Sequence, residues 1–65
     1  MREKFESILE KHGIYGENPE EILYAVQDML NFMADKTREE EPYATTTIDN
    51  LERAAYVVFD LAGDM

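Results

Sequence analysis

The sequence predicts an all-α fold, a small three-helix domain in which the second and third helices form an antiparallel hairpin behind a short N-terminal helix. Three observations predict it. Apolar residues recur at helical spacing in three separate stretches. Glycine and proline fall at the ends of those stretches rather than inside them: Gly13, Gly16, Pro19, Pro42 and Gly63. The longest apolar run, "AAYVVF" at residues 54–59, reads as a strand by itself, yet its flanks follow a 3.6-residue period. All 65 residues are read as one domain.

The first helix is expected over about residues 2–12, where Phe5, Ile8, Leu9 and His12 make one narrow stripe. Gly13 is a natural stop, because glycine takes the left-handed C′ conformation without strain. Gly16 marks a turn in "GIYGENP", with Ile14 and Tyr15 expected to fold back onto the bundle.

The second helix has the clearest start signal. "NPEE" places Asn18 at the N-cap and Pro19 at the first helical position, with Glu20 and Glu21 against the positive end of the helix dipole. The helix is expected over about residues 19–36. Its apolar arc, from Phe32 through Met29, Ile22 and Met33 to Ala34, spans roughly 200°, more than one neighbour needs. Met29 and Met33 sit near the middle of this arc and are expected to fill the core.

"REEEPYATTT" reads as the connection. Pro42 disfavours helical geometry at Glu41, and three threonines resist early helix formation. The third helix is expected over about residues 48–62, with Asp49 as N-cap and Glu52 completing a capping-box pattern. Ile48, Leu51, Ala54, Ala55, Val58, Phe59, Leu61 and Ala62 share an arc of roughly 160°. Tyr56 and Val57 fall outside the centre of that arc, so the rest of the apolar run is expected to face inward.

Composition narrows the function classes. Fifteen acidic against six basic side chains give a formal net charge of −9, spread along the chain without an acidic tail. This disfavours direct binding of nucleic acid or anionic lipid and favours a basic partner protein. With no cysteine and one histidine, disulfides, thiolate metal sites and multi-histidine zinc sites are excluded. No apolar run approaches the roughly 18 residues of a membrane span, and "MREKFESILEKHG" lacks a signal-peptide core, so a cytoplasmic location is expected.

No catalytic constellation emerges. His12 ends the first helix, where it suits the unsatisfied carbonyls, and Ser7 lies on another side of that helix. Carboxylates are abundant, but Glu17 and Glu20 are separated by Pro19 and the N-cap, and Asp49 with Glu52 lie on a polar face. Neither pattern makes the paired carboxylate helices that hold Mg²⁺ in all-helical pyrophosphohydrolases. The stretch "NLERAA" is similar to an L-E-x-A pattern in the last helix of a phage family of helical hairpins that sequester cyclic nucleotides. A nucleotide pocket would want Arg or Lys, and no site residue is transferred from that resemblance. No enzyme activity and no cofactor are expected.

The reading is therefore a small acidic protein-interaction module that binds and occludes a partner protein. A core this small is marginal alone, since such chains bury only about 60% of their unfolded surface. The wide apolar arcs point to self-association through the second and third helices, a dimer being favoured. Met29, Phe32, Val57, Phe59 and Leu61 are the candidate interface residues. Glu39, Glu40 and Glu41, with Tyr43, Tyr24 and Tyr56, are the candidate contacts for a basic partner. The alternative is a phage- or plasmid-type inhibitor, a DNA-charge mimic or anti-defence protein that binds a basic nucleic-acid-handling protein. Two arrangements remain open: a compact three-helix bundle within one chain, or two hairpins packed as a four-helix dimer with the first helix across one end.

Overall fold

A computed structural model describes residues 1–65 as three helices, α1 (Arg2–Lys11), α2 (Pro19–Glu40) and α3 (Thr45–Gly63), and no strand. Residues 41–44 reverse the chain, so α2 and α3 run antiparallel. Arg38 pairs with Glu52 nearer the turn, and Tyr24 meets Phe59 farther from it.

Helix α1 ends as its glycine requires. His12 is the C-cap and Gly13 has φ +81°. The Gly13 N–H donates to the Glu10 carbonyl and the Ile14 N–H to the Leu9 carbonyl, both at 2.9 Å. That pair of bonds is the Schellman arrangement, and it satisfies carbonyls that the helix end would otherwise orphan. Ile14 and Tyr15 do not fold back onto the hairpin as expected; both are exposed.

Helix α2 starts as read. The Asn18 side chain accepts from the Glu20 N–H at 3.1 Å, Pro19 is buried at the first position, and the Arg2 guanidinium donates to the Glu20 carboxylate. Its end differs from expectation. The helix continues past residue 36 to Glu40, because Arg38, Glu39 and Glu40 are polar but good helix formers. The Thr37 hydroxyl is satisfied by the Met33 carbonyl at 2.8 Å, and Lys36 and Arg38 pair along the helix with Glu39 and Asp35. The helix stops at Glu41, whose φ of −136° and ψ of 66° are non-helical immediately before Pro42.

Helix α3 starts earlier than expected. Thr45, Thr46 and Thr47 form its first turn, and the N-cap is Ala44, with no side-chain cap. Asp49 lies inside the helix, so the capping-box reading with Glu52 is corrected. Each threonine disfavours helix by only a few tenths of a kcal/mol. The buried Ile48, whose N–H donates to the Ala44 carbonyl at 3.1 Å, outweighs that.

The seam of the hairpin is built from small residues. Ala34 of α2 and Ala55 and Ala62 of α3 are buried, together with Ile48. Leu23, Leu30, Leu51 and Val58 flank them, half-buried. Alanines let two helix backbones approach closely, and bulkier side chains are displaced to the sides. Met29 and Met33, expected in the core, are therefore 57% and 50% exposed.

Helix α1 touches α2 and does not reach α3. A three-helix bundle with α2 in the middle does not close within the chain. The shape reflects this. The radius of gyration is 13.9 Å, against about 11 Å for a compact chain of this length, and the extents are 40 × 22 × 14 Å. The accessible surface is 4901 Å², about 600 Å² above the usual value for a folded monomer of this mass. No helix is long and apolar enough to cross a membrane.

Candidate interaction surface

The seam divides the hairpin into two faces, and helical phase assigns residues to each. On α2, Leu23, Leu30 and Thr37 recur every seven residues at the seam, and Ile22, Met29 and Lys36 recur every seven residues about a quarter-turn to one side. Met33 lies between these rows and Phe32 toward the outer edge. On α3 the same side carries Ala54, Val57 and Leu61, with Thr47 and Asn50. Phe32 is 62% exposed and Val57 56% exposed, so this part of the face stands open, while Ile22, Ala54 and Leu61 are half-buried. Asp28, Met29, Phe32 and Met33 line a shallow depression whose exposed surface is almost wholly apolar.

This face is poor in charge. On α2, Asp28 at the outer edge is the one ionisable group lining it between Ile22 and Met33, and Lys36 and Glu40 close it at the turn end. The Lys36 ammonium stands 5.9 Å from the centre of the Phe32 ring and 3.8 Å from Glu39. On α3 this side carries no ionisable group from Thr45 to Gly63. Along the outer edge of α2, Glu21, Asp28, Asp35 and Glu39 form a row of carboxylates.

The opposite face is polar with aromatic insertions. Arg38 donates to Glu52 across the hairpin at 3.0 Å, and Tyr24 meets Phe59. Tyr56 is exposed on the outer side of that face. Phe59, grouped by sequence with Met29, Phe32, Val57 and Leu61, is thus set apart from those four by the seam.

The six candidate partner contacts do not converge. Glu39 and Glu40 are the last two residues of α2 and Glu41 is its C-cap, so they lie at the turn rather than in a long loop. Tyr43, beside them, is 78% exposed, and its hydroxyl donates to Glu41 at 3.4 Å. Tyr24 lies some 15 residues back along α2, about 22 Å by the helical rise. These residues make a turn cluster and a separate mid-hairpin aromatic group.

A second hollow, between the end of α1 and the following turn, is lined by Glu6, Glu10 and Glu17 with Leu9 and Ile14. No three His, Asp or Glu side chains converge closely enough to hold a metal ion. His12 is exposed at the end of α1.

Sequence reasoning missed Met33 as a surface residue. Residue size alone gave no signal: Ala25 of the same arc is exposed, while Leu23 and Leu30 flank the seam half-buried. Comparison with protein-family models finds no match. No curated protein matches the chain, and no solved structure matches its fold.

Proposed function

We propose that this chain is a non-catalytic protein-interaction module that self-associates through α2 and α3 and acts by covering the surface of a basic partner. One observation carries the reading: an apolar face, with Asp28 as its one ionisable group between Ile22 and Met33, lies exposed on a chain whose net charge is −9. Contiguous apolar surface of this kind is uncommon on a monomer and marks an interaction site. The acidic groups, concentrated on the other surfaces and along the outer edge of α2, would steer a positively charged target.

Light scattering on a sizing column, over a wide concentration range, tests self-association. A mass that stays at 7.6 kDa throughout would remove it. Partner binding is tested with the Glu39→Gln, Glu40→Gln, Glu41→Gln triple variant. A partner captured by the wild type and equally by the triple variant would not be reading the turn carboxylates.

The row Glu21, Asp28, Asp35 and Glu39 favours a second reading, an inhibitor that mimics nucleic-acid charge. Its target would be a basic nucleic-acid-handling protein, held with a steep loss of affinity as salt rises. Neutralising that row to Asn and Gln would abolish such binding and leave self-association in place.

A further inference from the structure

Resting on the reading of the chain as self-associating, we propose that a second copy docks on the face carrying Met29, Phe32, Met33, Ala54, Val57 and Leu61. The face carrying Tyr24, Tyr56 and Phe59 stays free in that dimer. The arrangement is isologous: the same apolar face of each hairpin meets the other, making four helices.

Three observations select a second copy as the occupant. The first is charge. A basic partner gains little from a face whose one carboxylate between Ile22 and Met33 is Asp28 at its edge, whereas two copies of a −9 chain approach most easily where their acidic groups are fewest. This face meets that condition along most of its length. The second is shape. Helices of 22 and 19 residues, about 33 and 28 Å long, present a strip that an identical antiparallel hairpin matches in length. The third is area. Met29, Phe32, Met33 and Val57 are each at least half exposed, an apolar strip open to the roughly 800 Å² that each partner buries in a standard interface.

The dimer has a distinguishing salt response. Its copies repel through charges outside the interface, so added salt screens that repulsion and tightens association. Binding of a basic partner through the acidic surfaces weakens under the same change.

The test compares two single substitutions that each add one negative charge, Met29→Glu on this face and Tyr56→Glu on the other. Both positions are more than half exposed, so the monomer fold should survive either. Dissociation constants are measured by sedimentation at low and high salt, with helicity checked by circular dichroism. Met29→Glu is expected to weaken the dimer at least about 30-fold, as loss of an interface hot spot does. Tyr56→Glu is expected to change it less than about threefold, and the wild-type dimer is expected to tighten with salt. If Met29→Glu loses helicity, Phe32→Glu, at a still more exposed position, takes its place. A dimer that survives both Met29→Glu and Phe32→Glu, or that Tyr56→Glu breaks equally, places the second copy elsewhere and overturns this inference while leaving self-association standing. A wild-type chain monomeric at every concentration removes both.

Discussion

The rings of Tyr24 and Phe59 lie 6.1 Å apart between centroids, tilted by 56°. They join α2 to α3 on the side of the seam away from Met29, and they lie farther from the turn than the ion pair of Arg38 and Glu52. Phe59 is 47% exposed, and part of its remaining surface is held by Tyr24. Its task is to hold one face of the hairpin together, which separates it from the apolar residues of the other face.

Phe59→Ala is accordingly expected to destabilise the hairpin by about 1–2 kcal/mol, combining the aromatic pair with half a side chain of burial. The association constant of the folded chain should be unchanged. A urea titration monitored by circular dichroism, paired with sedimentation, checks both. A change in association larger than the change in stability would contradict the placement of Phe59.

The alanine seam makes a second prediction. Ala55 is 2% exposed between the two helices, so Ala55→Leu must force them apart. The expected loss is about 1–3 kcal/mol. Its neighbour Tyr56 is exposed, and Tyr56→Ala should stay within about 0.5 kcal/mol. Chemical denaturation of the two variants provides the comparison.

Gly13 is the third case. At φ +81° a β-carbon is strained although no atom lies within 4 Å of it. Gly13→Ala is expected to weaken the end of α1 by about 1–2 kcal/mol from backbone strain alone. Faster amide hydrogen exchange at Gly13 and Ile14, the two donors of the Schellman bonds, would report it.

The attachment of α1 gives the fourth. Arg2 pairs with Glu6 on its own helix and with Glu20 on α2, and lies 3.4 Å from the Asn18 side chain. Since α1 does not touch α3, Arg2→Ala should release α1 without opening the hairpin. Exposed ion pairs contribute at most about 1 kcal/mol, so the melting of α2 and α3 should barely move. Hydrogen exchange should accelerate across α1 only. Acceleration throughout the chain would show that α1 supports the hairpin more than these contacts imply.

How much was legible in the sequence differs from element to element. Asn18, Pro19 and Gly13 mark their helix ends correctly because capping is local: a side chain or a glycine satisfies backbone groups a few residues away. The end of α2 was less legible, since the apolar period stops near residue 36 while residues 38 to 40 carry the helix on propensity and ion pairs. The start of α3 was misread for the opposite reason. Propensity spoke against Thr45, Thr46 and Thr47, and burial of Ile48 overruled it. Of the candidate surface, the apolar residues could be named, but their division between two faces could not.

By itself the sequence determined the fold class, the order and approximate extent of the helices, the excess of acid, and the presence of more apolar arc than a hairpin covers. All of these follow from local periodicity, capping and composition. Only the tertiary structure decided where the seam runs within those arcs. Packing of the two helices buries Ala34, Ile48, Ala55 and Ala62, and that choice leaves Met29, Phe32 and Met33 outside and sets Phe59 against Tyr24. The reach of α1 was likewise settled there, because its stripe is too short and narrow to cover what the hairpin leaves open.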